Sequence, residues 1–317
     1  MAGLTDIPGI LVGHVSDFEA LTGCTAILCD GATGGVDIRG SATGTEELDV
    51  LAPSHITAHI HAIVLAGGSA FGLEAASGVR RYLEKKGIGF DTRAAKVPIV
   101  CGAILYDLGI GKADVRPTRE MGEKAAAAAS SGPVAEGCVG AGTGATVGKA
   151  HGMAEAMKSG IGTATIRLRG RFDGVIVSAL VACNALGDVR DPKTAAIVAG
   201  TRKSKDSREF ADSAEVVRGA AVGFRRENTT LAVVATNARF NKIETTKVAQ
   251  LASIGMARTI WPVNLMSDGD VTFALSLGNA QASVDAVGVA AAEALSEAIL
   301  RSVRLSKSMG GVPGLAG

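Results

Sequence analysis

The sequence predicts a layered protein of mixed α and β elements, and three patterns carry that expectation. Short apolar runs rich in Val and Ile recur along the 317 residues, most of them bounded by Gly, Asp or Pro, as strands separated by turns are. Segments with helical spacing of apolar residues lie between many of these runs. The runs near the start and the end are grouped in pairs without helices between them, which fits a layered α/β or α+β architecture better than a purely parallel βαβ sheet.

Taken in order, "GILVGHV", "TAILCD" and "HAIVLAGG" are the first strands. "SAFGLEAASGVRRYLEKKG" then places Phe71, Leu73, Ala76, Val79, Tyr82 and Leu83 at helical spacing and stops at Gly87. "KVPIVCGAILYD" returns to strand and "TREMGEKAAAAASSG" to helix, before the strand pair "TATIRLRG" and "GVIVSALVAC". Within residues 188–227 the charge-dense interval "TRKSKDSREF" reads as an exposed loop or linker. The strand "TLAVVATNA", a helix over "IETTKVAQLASIGMARTI", the strand "DVTFALSLG" and a helix over "QASVDAVGVAAAEALSEAILRSV" complete the chain. It contains no internal repeat and no low-complexity block.

Composition narrows the function classes. Hydrophobic residues make up 47% of the chain, ample for a buried core, and the formal net charge of +1 argues against a nucleic-acid surface. Glycine is abundant at 42 residues and aromatics are only 3%, favouring tight turns and close backbone approaches over stacking. Five scattered cysteines without a CxxC pair suit reduced thiols in the cytoplasm. The N-terminus has no secretory pattern, and the apolar stretch at residues 280–300 is broken by Asp285, Glu293 and Glu297, so no membrane span is expected. A small or neutral partner follows.

Several motifs invite chemistry. The Gly-rich "GCVGAGTGATVGKAHG" has no GxGxxG register, and a phosphate-binding loop would need Gly at Thr143 and Ser or Thr at Ala150. It reads as a backbone-lined loop beside a ligand, with Lys149 solvated or reaching into that site. "HITAHIHAI" carries His55, His59 and His61 without the further ligands a metal needs, so packed or surface histidines are expected and no metal or other cofactor is implied. Neither His14 nor His151 accompanies a GxSxG nucleophile motif.

"RENTTLAVVATNARF" poses a different question. A Thr opening a buried strand is unremarkable, because β-branched residues suit strands. Were the Asn228-Thr229 peptide cut, however, Thr229 would hold a hydroxyl nucleophile and a free α-amine of pKa roughly 7.7–8.0 on one residue. Similarly, Asp268 and Asp270 in "SDGDVTF" read either as a DG turn or as two carboxylates on one side of an extended segment.

"ENTTLAVVATNA", "AGGSAFGLEAASGVRRYLEKKG", "VPIVCGAILYDL", "GAGTGATVGK", "SALVACNALGDV" and "PVNLMSDGDVTFALSLG" together resemble the self-processing DmpA-like P1 peptidases, in the right order over nearly the whole chain. That group includes L-aminopeptidase/D-esterases, β-aminopeptidases, pantetheine hydrolases and nylon-oligomer hydrolases. The resemblance implies an α+β fold, a four-layer αββα sandwich of the N-terminal-nucleophile type, formed by a single domain over residues 1–317. It implies self-cleavage at Asn228-Thr229 into subunits of residues 1–228 and 229–317, with Thr229 as nucleophile and Thr230 merely following into the sheet. By the same resemblance Asp270 contacts the Thr hydroxyl and amine with Asp268 behind it. Asn184 in "VACN" gives its side-chain amide to the oxyanion hole, Tyr106 is a second donor or a packed aromatic, and Lys149 lies near the nucleophile.

"GGSAFG" sits at a strand-to-helix junction, where Gly68 and Ser69 read either as substrate contacts or as a structural turn. The expected substrates are small amides, peptides or esters, and the expected assembly is a homotetramer. The Asp-x-Asp form is closer to the nylon-oligomer hydrolases than to the Ser-x-Glu of β-aminopeptidases. An acyl transferase similar to ornithine acetyltransferase, and a non-catalytic binding protein in which Thr229 stays inside the chain, are the alternative readings.

Overall fold

The computed structural model describes residues 3–219 and 228–317. Among these, nine strands make up the main sheet system: β1 (Leu11–Asp17), β2 (Thr22–Ile38), β3 (Gly44–Glu46), β4 (Ile60–Ala66), β5 (Val100–Ile104), β6 (Ile161–Arg167), β7 (Ile176–Asn184), β8 (Thr229–Ala238) and β9 (Val271–Ala280). Their order is β6-β7-β8-β9-β2-β4-β5-β3, with β1 paired to β2. The α-helices are α1 (Glu74–Lys85), α2 (Arg119–Ala127), α3 (Ser213–Gly219), α4 (Lys242–Thr259) and α5 (Val284–Arg304).

Strand alternation separates three cores. In β4, Ala62, Val64 and Ala66 pack with Ala75, Val79 and Leu83 of α1 and Ala125 and Ala126 of α2. The intervening Ile63 and Leu65 face a second core shared with Leu231, Val233 and Ala235 of β8. From β8, Ala232 and Val234 turn the other way, onto Val248 and Ala252 of α4 and Ala291 and Leu295 of α5. Three cores between four layers are an αββα sandwich, as the resemblance implies. Strands buried on both faces also explain why β4, β7 and β8 read as continuous apolar runs rather than alternating ones.

The two sheets share β2. Its first part pairs with β1 and β4, and its last part pairs with β9. The apolar run "TAILCD" ends at Asp30. The strand instead continues through an irregular register between Leu28 and Ala32, with Gly31 at φ +81°. Polar residues close the helix starts. Thr118 accepts the Met121 N–H, Ser283 accepts the Ala286 N–H, and Asn241 and Glu244 form a reciprocal capping box. The "TRKSKDSREF" interval is largely exposed after Thr201 and Arg202, as expected; the end of the predicted linker, residues 220–227, lies outside the described residues.

Candidate active site

Strand direction gathers the candidate residues at one end of the sheet. β7 runs antiparallel to β8 and places its last residue, Asn184, opposite Thr229, the first residue of β8. β9 runs parallel to β8, with Leu231 opposite Val271, so Asp270 immediately precedes β9 on the same side. Asn228 bridges to Asp268. Asn184, Asn228, Thr229, Asp268 and Asp270 are all buried, none more than 4% exposed.

The Thr229 hydroxyl lies against the peptide bond that precedes it. Its Oγ1 donates to the Asn228 carbonyl oxygen at 2.6 Å, and the same oxygen accepts the Gly269 N–H at 2.8 Å. Two donors on one carbonyl polarise it towards nucleophilic attack. Thr230 follows the β8 ladder opposite Cys183, in the place expected of a sheet residue.

The carboxylates form a strained pair. Asp270 Oδ1 accepts the Thr230 N–H at 2.6 Å and Oδ2 accepts the Asn264 N–H at 3.0 Å. In the uncut chain Asp270 therefore holds the backbone after Thr229 rather than the Thr229 hydroxyl. Asp268 Oδ2 accepts the Leu265 N–H at 2.8 Å, while its Oδ1 is buried with no hydrogen-bond partner among the described residues. Burial, and then the negative charge of Asp268, push Asp270 up to about 7. Burial also raises Asp268, against the attraction of the Lys149 ammonium.

Lys149 and Asn184 are bound together. Lys149 Nζ donates to the Asn184 backbone carbonyl at 2.9 Å and to Asn184 Oδ1 at 3.0 Å. The Thr146 N–H also donates to Asn184 Oδ1, at 3.0 Å, so the side chain turns its Nδ2 to the Tyr106 carbonyl at 2.9 Å. The Gly-rich loop thus lies against Asn184. Its backbone is pinned by the Gly148 and Lys149 N–H groups to the Gly187 and Leu186 carbonyls, and Gly148 takes a φ of +69° to make the turn.

Tyr106 contributes a backbone carbonyl here. With Asp107, Ile110, Thr146, Lys149 and Met153 it lines a small cavity beside Asn184. Gly68 and Ser69 stand one step further out. Their N–H groups are taken by Asp107 Oδ1 at 2.7 Å and by the Leu105 carbonyl at 3.0 Å, so neither is left for a substrate by the turn itself.

Sequence reading missed two residues of this cluster. Asp107 clamps Gly68 and the Thr22 hydroxyl, the latter at 2.7 Å, and burial raises it to about 6. Its position next to Tyr106 was the available signal. Gly269 was read only as part of "SDGD", because a backbone N–H has no residue-type signature. The histidines lie elsewhere: His14 Nδ1 pairs with Thr25 Oγ1 at 2.9 Å and burial lowers it to about 4, while His61 Nδ1 accepts the Ile99 N–H.

Known proteins share this arrangement of chain. The description "Peptidase family S58" matches residues 2–316. A Mycobacterium leprae protein named an uncharacterized aminopeptidase is 37% identical, over 100% of this chain and 94% of its own. The 6-aminohexanoate-oligomer endohydrolase of a Kocuria species is 30% identical, over 94% of this chain and 85% of its own. Among solved structures, a Burkholderia β-aminopeptidase matches with a TM-score of 0.68 at 25% identity, covering 99% of this chain and 90% of that one. The L-aminopeptidase D-Ala-esterase/amidase of Ochrobactrum anthropi, described as a variant of the Ntn hydrolase fold, matches in fold with a TM-score of 0.72 at 19% identity, over 98% and 88% of the two chains. The chain is a member of peptidase family S58, a hydrolase acting on amide bonds.

Proposed function

We propose that this protein is a self-processing N-terminal-threonine hydrolase that cuts its own Asn228-Thr229 bond and then hydrolyses small amides, peptides or esters through an acyl-enzyme. One observation carries the reading: the Thr229 hydroxyl lies 2.6 Å from the carbonyl oxygen of the bond to be cut, on a residue that opens a buried strand.

In maturation, Thr229 Oγ adds to the Asn228 carbonyl carbon, the C–N bond breaks, and the hydroxyl proton ends on the departing Thr229 nitrogen. Water then hydrolyses the ester, releasing the Asn228 carboxylate and restoring the hydroxyl. In turnover, the same hydroxyl attacks the acyl carbon of a substrate, with the freed Thr229 amine taking the proton and Asp270 and Asp268 orienting that amine. Asn184 supplies an amide donor for the oxyanion, and Lys149 holds Asn184 in place and opposes the charge of the carboxylates. Tyr106 and the Gly68-Ser69 turn border the acyl pocket.

The sheet order supports the reading that the two products of cleavage stay together. β8 and β9 lie in the middle of the sheet order, flanked by β7 and β2. Residues 229–317 are therefore expected to stay threaded between strands of residues 1–228, as one domain. The protomers are expected to assemble as homotetramers, and Ile243, Ile254 and Val289 leave apolar surface on α4 and α5. No described helix is long and apolar enough to cross a membrane, and with five free cysteines the cytoplasm is the expected location.

Substrate class is tested with amino-acid p-nitroanilides, β-peptides and aminohexanoate oligomers, comparing wild type with Thr229→Ala. Release from at least one class by wild type and by none in the variant supports the reading. Equal release by both rejects it.

A further inference from the structure

We propose that the Gly269 backbone N–H is the oxyanion donor of self-cleavage, and that position 269 must be glycine to leave room for the attacking hydroxyl. This rests on the self-processing reading above. Of the two donors on the Asn228 carbonyl oxygen, the Thr229 hydroxyl cannot stay. As Oγ bonds to the carbonyl carbon and the C=O π pair moves onto oxygen, the hydroxyl proton passes to the Thr229 nitrogen, and its hydrogen bond to that oxygen disappears. The Gly269 N–H, at 2.8 Å, remains and strengthens as negative charge develops.

The donor is held in place before reaction. On either side of Gly269, the Asp268 carbonyl accepts the Ala42 N–H at 2.8 Å, and the Asp270 carbonyl accepts the Arg39 and Gly40 N–H groups at 3.1 and 3.2 Å. Asp270 is further fixed by its two carboxylate contacts, so residues 268–270 cannot slide along β8. A Cβ at residue 269 would lie 2.6 Å from Thr229 Oγ1 and 3.0 Å from the Ala42 carbonyl oxygen. The first contact is with the nucleophile and the second is with backbone, so the hydroxyl is the group that must move. Asn184, whose Nδ2 meets the Tyr106 carbonyl, is then left to serve turnover.

The test follows maturation by intact mass after rapid purification. Gly269→Ala is expected to cut at least about 10²-fold more slowly than wild type while melting within a few degrees of it, since losing one oxyanion contact has that size of effect. A second measurement does not depend on that variant folding: residue-resolved hydrogen exchange of Gly269 in uncut Thr229→Ala and in the cut wild type. Release of the Asn228 carbonyl from the Gly269 N–H once the bond is cut should speed Gly269 exchange at least tenfold. Cleavage of Gly269→Ala at the wild-type rate, or equal Gly269 exchange before and after cutting, overturns this inference and leaves self-processing standing. A wild type that never cuts overturns the self-processing reading itself.

Discussion

Among the described residues, the buried carboxylate of Asp188 and the buried pair Asp268 and Asp270 are served in opposite ways. Asp188, fully buried, has both oxygens occupied. Oδ1 accepts the Thr201 N–H at 2.9 Å and the Ser213 hydroxyl at 2.5 Å; Oδ2 accepts the Ser213 N–H at 2.7 Å, with the Arg190 guanidinium 3.5 Å away. At the other site, Asp268 and Asp270 repel each other, their oxygens take one backbone N–H apiece at most, and Asp268 Oδ1 has none. A carboxylate that only ties chain segments together can be saturated. On the function proposed above, a pair that would receive a newly made α-ammonium is left short of donors until that cation appears.

The contrast predicts that substitutions at the two sites separate activity from stability. Thr229→Ala, the most severe change, should abolish cleavage and lower amidase activity at least about 10³-fold, as loss of a nucleophile does. Asp270→Asn should come next, with a comparable block in turnover; in the uncut chain it removes the repulsion with Asp268 but leaves either the Thr230 or the Asn264 N–H without its acceptor, so the two effects on stability oppose each other. Lys149→Met should reduce turnover by about 10²-fold and move the acid limb of the pH profile upward, since its ammonium lowers Asp268. Asp188→Asn should behave in the reverse way. It should lose about 1–3 kcal/mol of stability in a denaturant melt, because an amide cannot accept every donor at the site, yet still mature and turn over. A stable Asp188→Asn chain, or an Asp270→Asn chain that is active, would erase the distinction between the sites.

Acidity sharpens the same comparison with a smaller effect. Asp270 has a folded pKa above its unfolded value, so the uncut chain holds a proton between about pH 4 and pH 7 that the unfolded chain has released. Binding more protons in the folded state means that stability falls as pH rises through this window and levels off above the folded value. Uncut Thr229→Ala should thus melt a few degrees higher at pH 5 than at pH 8. Asp270→Asn in the same background should flatten that slope, leaving the contributions of Asp107, Asp188 and Asp268, which burial also raises and which have the same sign. In the cut wild type the Thr229 ammonium should flatten it too.

Much of this was legible in the sequence, for identifiable reasons. The apolar runs of β4, β7 and β8 stood out because strands in the middle of a sandwich are buried on both faces, and the helices stood out by the spacing of their apolar residues. The residue types of the site were also readable: Thr229, Asn184, Asp268, Asp270 and Lys149 meet at one end of three strands. What the sequence could not carry was backbone chemistry. The Gly269 N–H, the Tyr106 carbonyl and the Thr146 N–H have no residue-type signature, and the contact of Asp270 with Thr230 depends on register. β2 was underestimated because a glycine-rich bulge and a turn share a composition.

The central claim is tested most directly by the intact mass and N-terminal sequence of the purified protein after incubation. The account predicts two chains, the smaller of about 9 kDa, the share of 31.9 kDa carried by residues 229–317, and beginning Thr-Thr-Leu-Ala. A single uncut chain that nevertheless hydrolyses amides at an undiminished rate with Thr229 replaced by Ala would contradict it.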